Sequence, residues 1–189
     1  MRVTSMVELE TRQITDDALV ARFRRGDGEA FGRLYQRHRH GLYGYALSFY
    51  GQEAPASDAV QELWLAFLAD MESLAGVANV RAYLYRSLRN RVLDDFRRRK
   101  REQNALAQNQ PVTLVKPRDT VASREDAEKL NQALARLPEE QREVVLLRIY
   151  GEMKFADIAD VLQVSTKTVE SRHRLALEKL REWLQATNA

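Results

Sequence analysis

Residues 81–101, RAYLYRSLRNRVLDDFRRRKR, carry nine arginines and lysines, three aromatic rings and only two acids. Cationic side chains bind phosphates and aromatic rings stack on unpaired bases, so this mixture is typical of a surface that binds single-stranded nucleic acid. On a helix, which turns about 100° per residue, the stretch divides into an apolar face and a polar face. The polar face presents Arg86, Asn90, Arg97 and Arg98, with Arg89 at its border. Tyr83 is the candidate for stacking on a base, with a place in the core as the alternative.

The two signs of charge are segregated along the chain. Residues 41–80 contain no lysine or arginine but five acids, and the basic stretch follows directly. The whole chain has a net charge of +3, so the residues outside 81–101 are net negative. A charge run is usually a solvated helix face, but surfaces selected only for solubility intersperse both signs. The segregation therefore favours a functional surface.

The sequence offers no set of residues suited to catalysis or to metal binding. His38 and His40 are two positions apart and point away from each other on a helix, and the adjacent Asp94 and Asp95 also diverge. The chain has no cysteine and no glycine-rich phosphate loop. We expect neither an enzyme nor a bound cofactor or metal.

Length and composition place the chain among soluble proteins of one or two small domains, because 189 residues are 44% hydrophobic and 30% charged. No apolar run has the length of a membrane span, and the N-terminus lacks the apolar core of a signal peptide. The absence of cysteine fits a reducing compartment. We expect a cytoplasmic protein that does not contact a membrane.

Helical spacing of apolar residues dominates the chain, which predicts an all-α fold. A first helix begins after Thr15, a second spans residues 28–50, a third is capped by Ser57, and the basic helix follows. Residues 102–122 are rich in Gln, Asn and Thr and contain two prolines, which is the composition of a flexible linker. The fold class is therefore two small helical domains joined by that linker.

The strongest motif lies in residues 155–184, FADIADVLQVSTKTVESRHRLALEKLREWL. Small Ala159 allows two helices to approach closely and Ser165 caps the second, as in a helix-turn-helix or winged-helix-like domain. Before it, Ser123 begins a helix that ends near Arg136, and a further helix starts at Pro138 and stops at Gly151. The second motif helix presents polar side chains to a major groove: Lys167, Thr168, Ser171, Arg172 and Arg174.

Two stretches, in this order, resemble the sigma-70 family of bacterial RNA polymerase sigma factors, and specifically its small extracytoplasmic-function (ECF) group. DAVQELWLAFL with RAYLYRSLRNRVLDDFRRRKR is similar to region two, and LPEEQREVVLLRIYGEMKFADIADVLQVSTKTVESRHRLALEKLRE is similar to region four. The extra regions of larger sigma factors have no room between them. We expect a flexible N-terminus over 1–14, region two over 15–101, the linker over 102–122 and region four over 123–189.

The resemblance implies a factor that binds core RNA polymerase and directs promoter-specific transcription initiation. Region two would bind the clamp coiled coil of the β′ subunit, capture a flipped base with residues 71–80, and hold the opened minus-ten strand. Region four would read the minus-thirty-five duplex and bind the β-flap tip, and members of the group often have an anti-sigma partner. By position, the polymerase contacts would be Asp58, Gln61, Glu62 and Leu65, the strand contacts Arg86, Arg89, Asn90, Arg97 and Arg98, and the duplex contacts Lys167, Thr168, Ser171, Arg172 and Arg174.

Three residues depart from the family pattern. Gln163 stands where the turn usually has Gly, His173 where Leu is usual and Glu170 where Lys is common. A left-handed backbone at Gln163 costs roughly 1 kcal/mol. These departures predict weaker or altered reading of the duplex.

Two other classes of protein share parts of the pattern. A stand-alone helix-turn-helix regulator would have the C-terminal motif, but it needs no second basic helix preceded by an acidic one. An inhibitor or scaffold that had lost promoter opening would keep the polymerase-binding face, but its basic helix would become neutral. The intact basic helix favours a sigma factor over both.

Overall fold

The computed structural model describes residues 14–70, 77–103 and 124–186, and within them it contains eight α-helices and no β-strand. The predicted all-α class is confirmed, and no wing accompanies the helix-turn-helix in these residues. None of the described helices combines the length and apolar character needed to cross a bilayer.

The N-terminal unit is built around one long central helix. Thr15 caps the first helix through a hydrogen bond from the Ala18 amide at 3.2 Å, and Asp27 caps the second. Gly51, with φ of 66°, ends the second helix in the left-handed conformation that glycine adopts easily. The second helix packs against the other three. The four helices are α1 (Asp16–Arg24), α2 (Gly28–Tyr50), α3 (Glu53–Ala69) and α4 (Val80–Gln103).

The predicted start of α3 at Ser57 is wrong. The helix begins at Glu53, with Gln52 as its N-cap, and Ser57 is an exposed residue inside it. Pro55 lies in the first turn, where its fixed φ suits a helix and its missing N–H has no partner to lose. Pro55 is therefore part of the helix start.

The beginning of α4 is held by side chains from two directions. Asn79 Oδ1 accepts from the Ala82 amide at 3.0 Å, and Asp17 Oδ1 from α1 accepts from the Val80 amide at 3.2 Å. The helix then continues to Gln103, two residues past the boundary predicted at Arg101. Residues 104–123, most of the predicted linker and the capping Ser123, lie outside the described residues.

The C-terminal unit packs three helices against its last one. Pro138 is the N-cap and Gly151 the C-cap of the second of these helices, as the sequence predicts. The helices are α5 (Arg124–Arg136), α6 (Glu139–Tyr150), α7 (Phe155–Leu162) and α8 (Thr166–Ala186).

The two units are packed together in this structure. Helix α6 lies against α2, and α7 lies against α4. Buried apolar side chains such as Leu42, Leu88 and Leu147 belong to one continuous core that includes residues of both units.

Candidate functional site

One face of α3 is offered to solvent. Its four predicted polymerase contacts, Asp58, Gln61, Glu62 and Leu65, are spaced i, i+3, i+4 and i+7 and are all exposed. Leu65 keeps 59% of its surface accessible, while Leu63 and Phe67 on the other face are buried. The structure brings the four residues together as a mixed acidic and apolar patch, which we call the α3 face.

A groove of about 450 Å³ opens beside the α3 face, between α2 and α3. It shares Gln61 and Leu65 with that face. On its floor, buried Trp64 has an indole N–H without a hydrogen-bond partner in the described structure. Sequence reasoning missed this groove, because helical spacing groups its partly exposed apolar residues with the core. The additional lining residues are Tyr35, Arg39, His40, Tyr43, Ser57, Val60 and Leu68.

The two histidines of α2 have separate environments, as their spacing predicts. His38 is buried and its Nε2 lies 2.8 Å from Asp16 Oδ2. His40 is exposed at the α2–α3 groove. Across the part of the chain that the structure describes, no three carboxylate or histidine side chains cluster as a metal site requires.

Four of the five predicted strand contacts on α4 are exposed: Arg86, Asn90, Arg97 and Arg98. Arg97 pairs with Asp94 at 3.0 Å and Arg98 with Asp95 at 3.3 Å, each one helical turn away. Exposed pairs of this kind contribute little energy, so the guanidinium groups remain able to exchange a carboxylate for a phosphate. These four residues form what we call the α4 strand face, named for the opened DNA strand that they are predicted to contact.

Arg89, the fifth predicted strand contact, has a different environment. Its Nε and Nη2 donate to the two carboxylate oxygens of Glu143 on α6, at 2.6 and 3.2 Å. The Tyr45 hydroxyl from α2 donates to the same carboxylate at 3.1 Å. Burial opposes the charge of Arg89, but Glu143 outweighs that effect and raises the pKa of Arg89. The structure therefore places Arg89 at the contact between units.

Two aromatic residues of α4 differ in exposure. Tyr83 is half-buried, with its ring 6.3 Å from the ring of Phe67. This position corresponds to the alternative prediction for Tyr83, a place in the core rather than stacking on a base. Phe96, which helical spacing places on the apolar stripe, is 39% exposed and stacks on Tyr50 with ring centroids 5.9 Å apart. Phe96 thus supplies an accessible ring beside the basic residues.

The helix-turn-helix has the predicted geometry. Gln163 adopts the left-handed conformation, with φ of 57° and ψ of 45°, at the turn between α7 and α8. Ser165 Oγ accepts from the Thr168 amide at 3.1 Å and caps α8. Ile158 and Val169 are fully buried in the angle between the two helices.

The exposed side of α8 carries the five predicted duplex contacts in two groups. Lys167, Ser171 and Arg174 are exposed and spaced i, i+4 and i+7 on one face. Thr168 and Arg172 are half-buried: the Thr168 hydroxyl lies 2.8 Å from Ser165 Oγ, and Arg172 is bound to Glu140 at 2.5 Å. Only the first group is exposed, and within it Arg174 pairs with Glu178 on the same helix at 2.8 Å.

His173 fills a position between α8 and α7. Its ring lies 5.1 Å from that of Phe155. Burial and the nearby Arg148 lower the pKa of His173, which favours a neutral ring packed on its neighbour. His173 thus takes a packing role where the family usually has Leu.

Two family models match the chain in the order in which these surfaces occur. Sigma-70 region 2 matches residues 34–102, and sigma-70 region 4 matches residues 127–180. RNA polymerase sigma factor NccH of Alcaligenes xylosoxydans xylosoxydans is 31% identical over 91% of this chain and 96% of its own length. ECF RNA polymerase sigma factor SigM of Mycobacterium tuberculosis is 33% identical over 92% and 87%. The chain belongs to the ECF group of sigma factors.

Solved structures agree with this assignment. CnrH, in complex with the cytosolic domain of CnrY, is 27% identical to this sigma factor and superposes with a TM-score of 0.67 over 90% of this chain and 97% of that one. RpoE of Bartonella quintana, in complex with the anti-sigma factor NepR, shares the fold with a TM-score of 0.69 at 24% identity, over 82% and 96% of the two chains. This sigma factor binds core RNA polymerase and promoter DNA, and it directs promoter-specific transcription initiation.

Proposed function

We propose that three surfaces of this sigma factor divide the work of initiation. The α3 face with the α2–α3 groove binds the clamp coiled coil of the polymerase β′ subunit. The α4 strand face holds the opened nontemplate strand of the minus-ten element. The exposed side of α8 reads the minus-thirty-five duplex.

The α3 face supports the first assignment through its chemistry. An exposed Leu65 beside Asp58 and Glu62 combines an apolar anchor with carboxylates, which suits a partner helix that carries both apolar and basic residues. The groove extends this surface, and the Trp64 side chain forms part of its lining. Glu62 also pairs with Arg91 of α4, so the α3 face is connected to the basic helix.

The α4 strand face is the observation that carries the proposal. Arg86, Asn90 and Arg97 recur along one exposed side of the helix, and Phe96 adds an accessible ring. Single-stranded nucleic acid is bound by positive side chains that follow its phosphate backbone, together with aromatic rings that stack on its bases. This combination needs no closed pocket. A stand-alone regulator that binds only duplex DNA has no use for this face.

Lys167, Ser171 and Arg174 lie where the N-terminal half of a recognition helix contacts a major groove. Lys167 and Arg174 neutralise phosphates or donate to guanine, and Ser171 is small enough for close approach to base edges. Arg172 reaches a base only when it leaves Glu140. In this assignment duplex reading rests first on the three exposed residues, of which Arg174 exchanges its surface pair with Glu178 for the DNA.

The same assignment implies where this sigma factor acts and with which partners. Its work takes place in the cytoplasm, with core polymerase and promoter DNA, and it performs no catalysis of its own. An anti-sigma factor is a further proposed partner; this proposal is supported by the solved structures of RpoE with the anti-sigma factor NepR and of CnrH with the cytosolic domain of CnrY.

The decisive experiment separates strand opening from polymerase binding. The double variant Arg86→Ala with Asn90→Ala is compared with Arg181→Ala, which removes one exposed charge far from α4 along the chain. Each protein is assayed for co-purification with a bacterial core RNA polymerase and for transcription from a promoter library, with permanganate footprinting of unpaired thymines. We expect the double variant to bind core polymerase normally and to lose the footprint. Equal loss of both properties would refute the strand assignment, and failure of the unmodified protein to bind core polymerase would refute the function.

A further inference from the structure

Arg91 joins the basic helix to the α3 face. Its guanidinium, on α4, binds the carboxylate of Glu62 on α3, which lies 29 residues earlier in the chain. The Arg91 side chain is 32% exposed and the Glu62 side chain 58%, so the pair lies at the surface, where each charge is able to exchange its partner. The pair therefore connects a proposed polymerase contact with the helix that holds the opened strand.

The position of Arg91 on α4 suits a contact with that strand. Arg91 is seven residues before Arg98, which belongs to the α4 strand face. At about 100° and 1.5 Å per residue, this spacing places the two arginines on one side of the helix, about 10 Å apart along its axis. Arg91 therefore extends the α4 strand face on the side next to α3.

Arg91 differs from Arg97 and Arg98 in the location of its partner. Arg97 pairs with Asp94 and Arg98 pairs with Asp95, and both carboxylates lie on α4 itself. The carboxylate that binds Arg91 lies on α3 and is a proposed polymerase contact. A basic side chain of the polymerase that binds this carboxylate competes with Arg91, because two cations beside one carboxylate repel each other.

We infer that Arg91 is a further strand-binding residue and that Glu62 couples it to polymerase binding. The inference rests on the proposed function, since it adds a residue to the strand surface and takes Glu62 as a polymerase contact. When a basic side chain of the β′ clamp binds Glu62, Arg91 gives up the carboxylate and binds a phosphate of the nontemplate strand. Coupling between two sites is reciprocal, so a phosphate on Arg91 strengthens the polymerase contact at Glu62 by the same factor.

The size of the coupling follows from the exposure of the pair. Exposed ion pairs contribute little to stability, and their contribution corresponds to at most about fivefold in an equilibrium constant. A phosphate contact by Arg91 also releases about one counterion, which adds about 0.7 to the slope of log affinity against log salt for a single strand. Affinity and salt slope therefore report on Arg91 independently.

The test combines two binding measurements on the full chain. Labelled sigma factor is titrated with a bacterial core RNA polymerase to measure core binding. The assembled holoenzyme is then titrated, at several salt concentrations, with a labelled single-stranded oligonucleotide that carries the nontemplate minus-ten sequence of a promoter recovered from the library.

The variants form a double-mutant cycle of Arg91→Gln, Glu62→Gln and the two together. Asp58→Asn, alone and with Arg91→Gln, is the matched control, because it removes one negative charge from the same exposed face of α3. Arg91→Lys keeps the charge at position 91 without the guanidinium. Circular dichroism of each variant measures its helix content.

We expect Arg91→Gln to weaken strand binding by up to about fivefold and to lower the salt slope by about 0.7. The same variant should bind core polymerase up to about fivefold more tightly, because Glu62 no longer has a competing cation. With Glu62→Gln, the replacement of Arg91 should leave core binding unchanged, whereas with Asp58→Asn it should have its full effect. Arg91→Lys should retain the salt slope of the parent.

Each part of the inference has a result that would overturn it. Parent-like strand affinity and salt slope in Arg91→Gln would show that Arg91 does not contact the strand. An equal change in core binding with and without Glu62→Gln would show that Glu62 does not couple the two sites. A salt slope in Arg91→Lys as low as in Arg91→Gln would show that altered packing, not the missing charge, weakens strand binding. These results are differences from the parent, whose own failure to bind core polymerase or the strand would instead refute the proposed function.

Discussion

Asn79 and Asp157 join the beginnings of two helices from different units, with Asn79 Nδ2 donating to Asp157 Oδ1 at 2.7 Å. Each side chain also caps its own helix: Asn79 Oδ1 accepts from the Ala82 amide at 3.0 Å, and Asp157 Oδ2 accepts from the Lys154 amide at 3.3 Å. Two local capping signals are thus combined into one contact between residues 78 positions apart.

Replacing Asn79 with Asp separates its two roles, which are capping α4 and bonding to Asp157. Aspartate caps a helix as well as asparagine does, but here it would place a second carboxylate against Asp157. We expect unchanged helix content by circular dichroism and a free energy of unfolding lower by about 1–2 kcal/mol in denaturant titration. Asn79→Ser is the control, since it keeps a capping oxygen without the charge and should lose less. Equal losses in the two variants would argue against repulsion by Asp157.

Asp16 makes the stability of the N-terminal unit sensitive to acid. Burial opposes its charge, but hydrogen bonds and ion pairs with His38 and Arg37, at 2.8 and 2.5 Å, lower its pKa from 3.8 to about 2. Because the folded-state pKa is depressed, this stabilisation is present above pH 3.8 and is lost as the pH falls toward 2. The difference amounts to about 2 kcal/mol.

We therefore expect Asp16→Asn to lower the free energy of unfolding by about 2 kcal/mol at neutral pH. The variant should also lose less stability than the parent between pH 4 and pH 2. Denaturant titrations at several pH values measure both effects, and Asp94→Asn serves as the control because Asp94 is 72% exposed in a pair with Arg97. A variant with the parent's full acid sensitivity would show that other carboxylates are responsible.

The helices and the helix-turn-helix could be predicted from the sequence because their signals are local. Thr15, Ser165 and Gly151 act within one turn of their own helix ends, and apolar spacing defines each buried face. The start of α3 was predicted wrongly for the same local reason. Ser57 is a good N-cap residue when it is considered alone, but the helix already begins at Glu53, with Pro55 in its first turn.

The contact between units could not be predicted, because it depends on packing between helices far apart in the chain. Nothing in the sequence near Arg89 indicates that Glu143, 54 residues away, is its partner. A charged residue within α6 is ordinarily expected at the surface. The glycines of α2 were the available signal. A glycine inside a long helix weakens it, so Gly41 and Gly44 point to a close neighbour, although not to Tyr150 in particular.

Leu65 is the expected anchor of the α3 face. A single exposed leucine beside a groove contributes to binding by filling a partner's pocket, so Leu65→Ala should weaken binding to core polymerase by about 1–2 kcal/mol, roughly 5- to 30-fold. The thermal stability of Leu65→Ala should match that of the parent, because Leu65 is already 59% exposed to solvent. Leu65→Met keeps size and apolarity and should bind nearly as well. Parent-like affinity of Leu65→Ala in a titration with labelled core polymerase would place the anchor elsewhere.

The pair between Arg172 and Glu140 limits how this sigma factor reads its duplex. Arg172 must leave Glu140 before it contacts DNA, so Glu140→Gln should strengthen holoenzyme binding to a minus-thirty-five duplex by a few fold. Glu139→Gln is a control of equal charge in the same first turn of α6. Binding is measured as a function of salt, because a new phosphate contact steepens the salt dependence by about one counterion. An equal gain in both variants would mean that the general loss of negative charge, rather than release of Arg172, is responsible.

Gln163 stores a small strain at the turn of the helix-turn-helix. Its φ of 57° costs a residue with a Cβ about 1 kcal/mol relative to glycine, and its side-chain amide offsets part of that cost by donating to the Asp160 carbonyl at 2.6 Å. Gln163→Gly removes the strain and the hydrogen bond together, and we expect a net gain of up to about 1 kcal/mol in the free energy of unfolding. Gln163→Ala keeps the strain without the hydrogen bond, so it should be less stable than the parent. Denaturant titration of the three proteins measures the two contributions separately, and a glycine variant no more stable than the parent would mean that the bond to Asp160 compensates the whole strain.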